Sequence, residues 1–214
     1  ENIKKKSIVQ KKIIDTVSFN SRKLTKNSIF FGVKGKKFNG NNFAKNAIKN
    51  GAIISYSNIK NKNSRIIYKQ NPLKFLNKIC MIYRKSLGAN NIAITGSSGK
   101  TSLKELTGFC FKKLDKTYFS NKSFNNKYGV PLTIFNAPIN TKYSIFEVGM
   151  DKKGEIDYLT NLIKPDVGVI TNISYAHIKN FKNLYKIALA KSEIIKNILP
   201  GGTAIFNRDD KYFN

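Results

Sequence analysis

The chain has 214 residues, 41% hydrophobic and 24% charged, which suits one large or two small globular domains. No apolar run approaches the roughly 18 residues of a membrane span, and the basic start Glu1-Asn-Ile-Lys-Lys-Lys6 leads into no signal-peptide core, so membrane insertion is not expected and the cytoplasm is. The formal net charge of +27 points towards nucleic acid, but the lysines scatter through every segment beside abundant Asn and Ile, residues that share A/T-rich codons, and no aromatic ladder accompanies them; no nucleic-acid partner is expected.

In chain order, a strand-like run over 29–33 precedes a helix-like segment over 42–50, closed by Gly51 as a C-terminal cap. Short apolar runs follow at 52–56 and 65–68. Asn71-Pro72 supplies an N-cap with proline at the first helical position, opening a helix that runs to Leu87 and stops at Gly88, where the domain boundary is placed. From Asn91 strands alternate with helices: strands over 92–95, 117–119, 143–148, 167–171 and 203–206, helices over 100–114, 155–163 and 184–198. Cys80 and Cys110 fall inside the apolar helical segments and are expected as buried, reduced thiols. The pattern predicts an α/β chain: a small mixed α/β domain over 1–88, then a mostly parallel sheet over 89–214 that binds ligands at the carboxyl ends of its strands.

Thr95-Gly96-Ser97-Ser98-Gly99-Lys100-Thr101 follows a strand and opens a helix. Glycines let the backbone curl so that N–H groups point inward at a phosphate, and the helix start adds its positive dipole end. Lys100 supplies a cation, and Thr101 a hydroxyl for magnesium. The loop is shorter than the general Walker pattern, and it predicts a bound nucleoside triphosphate. Glu147 ends a strand at the same carboxyl edge, where its carboxylate can hold magnesium. His177, the single histidine, follows another strand at that edge. Lys191 lies on one helical stripe with Ile187, Ile194, Ile195 and Ile198. A lysine aimed inward loses the ammonium form more readily and its neutral amine can take up carbon dioxide as a carbamate. Periodicity alone favours a lysine that snorkels from the edge of the stripe.

Together these segments resemble the Mur ligases, over nearly the whole chain. The loop over 95–102 has that family's short TGSxGKT form. Ser123-Phe-Asn-Asn-Lys-Tyr-Gly-Val-Pro-Leu-Thr133 is similar to the segment typical of the branch that adds D-alanyl-D-alanine, and the branch that adds the third peptide residue lacks it. Phe146-Glu-Val-Gly-Met150, Gly154-Glu-Ile156, Pro165-Asp166, Thr171-Asn-Ile173, Ala176-His177, Ala190-Lys-Ser-Glu193 and Asn207-Arg-Asp-Asp210 continue the likeness in order. Asn20-Ser21-Arg22, Ser28-Ile-Phe-Phe31, Gly35 and Phe38-Asn-Gly-Asn-Asn-Phe43 resemble the family's uridine-diphosphate-binding pattern, with Asn20 and Asn39 in place of aspartates and Asn41 in place of a histidine.

The resemblance implies an ATP- and magnesium-dependent amide-bond ligase of peptidoglycan precursor synthesis. It would join D-alanyl-D-alanine to UDP-MurNAc-tripeptide through an acyl phosphate, as a cytoplasmic monomer. It implies Gly96, Ser97, Ser98, Gly99, Lys100, Thr101 and Ser102 around the ATP phosphates and Asn207 towards the nucleotide. Thr101, Glu147, His177 and a carbamylated Lys191 would form the metal sites, with Lys100, Lys191 and His177 catalytic. Ser21, Arg22, Asn39, Asn125 and Asn126 would bind substrate. The positive charge suits two polyphosphate substrates. Family members also carry the rest of the ATPase domain and a third domain, so the 214 residues alone are expected to bind ligands without completing catalysis. Another ligase of the superfamily, of the folylpolyglutamate or third-residue-adding type, and a non-catalytic nucleotide- or nucleic-acid-binding module remain the alternatives.

Overall fold

The computed structural model describes residues 14–35, 38–120, 123–175 and 180–212. The chain divides into two compact units, Glu1–Pro72 and Leu73–Asn214. In both, every paired strand of the sheet is parallel.

In the first unit β1 (Val17–Ser18), β2 (Ser28–Phe31), β3 (Ala52–Ser57) and β4 (Ile66–Tyr68) lie in sequence order. All four residues of β2 are buried, the continuous run that a covered parallel strand shows instead of alternation. Helix α1 (Ala44–Lys49) buries Ala44, Ala47 and Ile48 in one cluster with Phe30, Ala52 and Ile66. Its approach is a 3-10 turn over Gly40–Phe43, because the Asn39 side chain accepts from the Asn41 amide and fixes the turn early.

The helix opened by Pro72 runs to Leu87 as expected (α2, Pro72–Leu87), but from Leu73 on it packs as part of the second unit, whereas the sequence placed the boundary at 88. Its stripe of Leu76, Cys80 and Tyr83 explains why. Leu76 is buried, the Cys80 thiol donates to the Pro131 carbonyl, and Tyr83 stacks on Phe135 while its hydroxyl donates to the Ala137 carbonyl.

The second sheet has the order β6-β7-β5-β8-β9: β5 (Asn90–Thr95), β6 (Thr117–Phe119), β7 (Tyr143–Glu147), β8 (Val167–Ile170) and β9 (Thr203–Phe206). The chain leaves β5 for the β6 side, returns through β7, and crosses to β8. The carboxyl ends of β5, β7 and β8 therefore meet where the strand order reverses, with Ile94 paired to Glu147 and Thr95 to Ile170. The helices are α3 (Lys100–Phe111), α4 (Gly129–Phe135), α5 (Glu155–Ile163) and α6 (Leu184–Lys191). The sequence did not anticipate α4, which is short and opens on Gly-Val-Pro.

Two expectations are corrected. Cys110 is exposed rather than buried, because α3 turns Lys104 and Gly108 inward and Cys110 outward. The helix expected over 184–198 ends at Lys191 and continues as a 3-10 turn, Ser192–Asn197. The tighter winding keeps Ile187, Lys191 and Ile194 buried but rotates Ile195 into solvent. Among the described residues no helix is long and apolar enough to cross a membrane.

Candidate active site

The phosphate loop leaves β5 at Thr95 and enters α3 at Lys100. Gly96 has φ +150°, and a Cβ there would lie 1.8 Å from the Thr171 hydroxyl oxygen, so no side chain fits. Gly99 caps α3 in the left-handed region at φ +75°, and no side chain caps the first helical N–H groups. Lys100 folds back, its Nζ donating to the Gly96 carbonyl at 2.8 Å and the Ser97 carbonyl at 3.2 Å. Burial lowers its pKa, and the charge of Glu147 opposes that shift.

Lys191 reaches the same point from α6. It is 2% exposed, and its Nζ donates to the Gly96 carbonyl at 2.8 Å. Burial, with Lys100 as a second and smaller cause, pushes the amine down to about 7. The inward aim that the helical stripe allowed is the one observed, and it sets two amines around one carbonyl of the phosphate loop.

Glu147 ends β7 at 2% exposure. Its Oε2 accepts from the Thr101 hydroxyl at 2.7 Å and its Oε1 from Asn125 Nδ2 at 2.7 Å. Thr101 also lies 3.3 Å from the Ser123 hydroxyl. Thus one helix start, one strand end and the loop before α4 converge on a single buried carboxylate. Among the described residues no three His, Cys, Asp or Glu side chains cluster as a metal site. His177, expected at the metal, lies outside the described residues.

The remaining candidates divide. Ser97 and Ser98 direct their amides and hydroxyls towards Asn172 and Ser174. Ser102 is exposed on the first turn of α3. Asn126 Oδ1 accepts from the Tyr128 and Gly129 amides and so shapes the start of α4. Asn207 follows β9 and lines a cleft of about 250 Å³ with Asn172, Ile173, Ile195, Phe206 and Asp210. Asn172 belongs to both the cleft wall and the phosphate-loop contacts, so the two adjoin.

These features match known proteins in sequence as well as in geometry. Residues 94–214 fit the model of the Mur ligase middle domain, and residues 13–80 that of the Mur ligase family catalytic domain. The chain belongs to the Mur ligase family. It is 37% identical over 205 residues to the UDP-N-acetylmuramoyl-tripeptide–D-alanyl-D-alanine ligase of Buchnera aphidicola subsp. Baizongia pistaciae, covering 94% of this chain and 44% of that protein. A crystal structure of MurF from Acinetobacter baumannii superposes with a TM-score of 0.86 at 30% identity, covering 97% of this chain and 46% of that one. MurF from Thermotoga maritima, solved in complex with ADP, superposes with a TM-score of 0.83 at 28% identity, covering 92% and 46%. The chain thus spans less than half the length of these relatives.

In this Mur ligase the first-unit candidates follow the carboxyl ends of β1 and β2. Asn20 Oδ1 accepts from the Arg22 amide, a turn an aspartate would make equally. The carbonyl of the buried Ser21 accepts from Asn50 Nδ2. Asn39 Oδ1 accepts from Asn41 Nδ2 at 2.8 Å, and Asn41 Oδ1 from the Asn58 amide at 2.8 Å. Asn20, Asn39 and Asn41 thus keep these loops in shape by neutral hydrogen bonds.

Several polar residues went unassigned in the sequence. Glu193 is 3% exposed, and both its oxygens accept from the Gly154 amide while Oε2 also takes the Asp157 amide, capping α5. Lys104 is wholly buried, donating to the Ser120 carbonyl and pairing with Glu105 at 2.8 Å. Lys104 shares a helical stripe with Gly108 and Phe111, the periodicity that singled out Lys191. Glu193 had no local signal beyond its place in the Ala190–Glu193 match.

Proposed function

We propose that the chain forms the uridine-substrate and ATP-binding part of an amide-bond ligase that joins D-alanyl-D-alanine to UDP-MurNAc-tripeptide. The observation that carries this reading is the convergence of Lys100, Thr101, Glu147 and Lys191 on one short phosphate loop. The ordered likeness to D-alanyl-D-alanine ligases over nine-tenths of the chain supports the choice of substrates.

The donor set fits magnesium. Glu147 offers a buried carboxylate whose oxygens accept hydrogen bonds from the neutral Thr101 and Asn125 groups, and a hard cation could supply opposite charge there. Thr101 and Glu147 would hold it, with His177 and Lys191 as a carbamate completing the metal-binding set. Bound magnesium would neutralise charge on the transferring phosphoryl group. Carbamate formation joins the neutral Lys191 amine to carbon dioxide and releases a proton, which the lowered pKa favours near neutral pH.

The chain's own groups do the positioning. Amides at the start of α3 and the Lys100 ammonium hold the phosphates in line with the peptide carboxylate. A carboxylate oxygen attacks the γ-phosphorus of ATP and ADP leaves. The dipeptide amine then attacks the acyl carbon, phosphate departs and the nitrogen loses a proton. The cleft beside Asn207, walled by Ile173, Ile195 and Phe206, suits a flat apolar base.

The test is phosphate release by the protein expressed from its whole reading frame, given ATP, magnesium and UDP-MurNAc-tripeptide, with and without D-alanyl-D-alanine. Release that requires both substrates is expected. Release supported only by another amino compound would overturn the choice of dipeptide while leaving the family untouched.

A further inference from the structure

The segment directly after β8 packs against the phosphate loop through polar atoms of Thr171, Asn172 and Ser174. The Ser97 amide donates to the Asn172 carbonyl at 3.0 Å and to Asn172 Oδ1 at 3.2 Å, and the Ser98 amide donates to the same Oδ1 at 3.0 Å. Asn172 Nδ2 in turn donates to the Ser98 hydroxyl at 2.7 Å, and the Thr171 hydroxyl donates to the Ser98 carbonyl at 2.6 Å. The Ser97 hydroxyl exchanges hydrogen bonds with the backbone of Ser174 at 2.8 and 2.9 Å. This segment is itself fastened, because the Ile173 amide donates to Asp210 Oδ2 at 2.6 Å.

A phosphate oxygen bound in a backbone nest needs N–H groups that nothing else holds. Each amide has one hydrogen: at Ser97 it is shared between the Asn172 carbonyl and Oδ1, and at Ser98 it is directed at that same Oδ1, whose two lone pairs both are used. Gly99, Lys100 and Thr101 differ: they stand at the start of a 12-residue helix, where N–H groups have no partner within the helix. A neutral carboxamide also suits the place. Aspartate at 172 would accept the same two amides but set a negative charge beside a polyanion.

We propose that Asn172 is a positioning residue for the phosphate loop: it holds the Ser97 and Ser98 amides for the protein, leaving the Gly99, Lys100 and Thr101 amides to bind phosphate. The inference rests on the nucleotide-binding reading of the loop and narrows it, since Ser97 and Ser98 then act as the anchored rim rather than as ligands.

The first test needs no mutation. In the ¹⁵N-labelled protein from its whole reading frame, titrated with magnesium and ADP, the Gly99, Lys100 and Thr101 amide resonances should move while those of Ser97 and Ser98 stay. Ser97 and Ser98 shifts as large as the others overturn the proposal. If no amide of the loop moves at saturating ADP, the nucleotide reading itself fails, and the proposal with it. The second test is calorimetric. Asn172→Ala and Asn172→Asp should each weaken ADP binding by about 10-fold or more, with UDP-MurNAc-tripeptide affinity within about 2-fold of wild type. Unchanged ADP affinity in Asn172→Ala, or an equal loss of both ligands, overturns the positioning role.

Discussion

After the carboxyl ends of β5, β7 and β8 the second unit gathers Lys100, Lys191 and Glu147; after the carboxyl ends of β1 and β2 the first unit gathers Asn20, Ser21, Asn39 and Asn41. Both edges belong to parallel sheets, where strand ends and their loops form the natural ligand face. The chemistry placed there is opposite. The second unit buries ionisable groups, so that burial moves the pKa of both Lys100 and Lys191 downward. The first unit uses neutral carboxamides that hydrogen-bond one another and the backbone, shaping loops without adding charge. On the proposed function, the buried ionisable groups would serve group transfer, where charge develops and must be met, and the neutral amides recognition of a ligand that does not change at that end.

The contrast predicts a graded set of outcomes. The largest belongs to Lys100. Lys100→Ala should lower substrate-dependent phosphate release by about 100-fold or more while leaving UDP-MurNAc-tripeptide binding near wild type. Equal loss of both would show that Lys100 supports the fold rather than the phosphates.

Next comes Asn125, whose amide supports Glu147. Asn125→Ala should raise the magnesium concentration needed for half-maximal release by about 10- to 100-fold. A magnesium profile unchanged by the substitution would detach Asn125 from the metal site.

Lys191 should affect stability and its pH dependence. Its folded pKa, about 7, lies below the ordinary 10.5, so between those values the unfolded chain binds more protons. Stability from this group therefore rises with pH from about 7 to 10.5, and the penalty is present in full below 7. Lys191→Met should flatten that part of a urea-unfolding series against pH and abolish phosphate release. A wild-type slope retained in Lys191→Met would place the Lys191 amine in solvent.

The smallest effects belong to the neutral edge. Asn39→Ala should cost about 1 kcal/mol of stability by removing the cap of the 3-10 turn. Asn39→Asp should change stability by less than about 0.5 kcal/mol, because the accepting oxygen is kept. Chemical unfolding of the two variants side by side separates the cap from the charge.

What local pattern encodes was legible in the sequence. The phosphate loop needs only a strand, two glycines and a helix start, all within a few residues. The strands of the second sheet showed as short apolar runs, and α2 as a proline at its start and a glycine after its end. Helical spacing placed Lys191 on an apolar stripe but by itself favoured a snorkelling amine, so its burial was decided by the structure; the same spacing would have found Lys104. Only the tertiary structure decided the rest. Ile195 left the stripe because the helix tightens after Lys191, and α2 joined the second unit because α4 received its apolar face. Glu193 caps a helix 39 residues before it, and Asn172 grips amides 74 and 75 residues before it. No local preference carries such contacts. Single residues make them across large gaps in sequence, and they exist once the parallel sheet has brought its strand ends together.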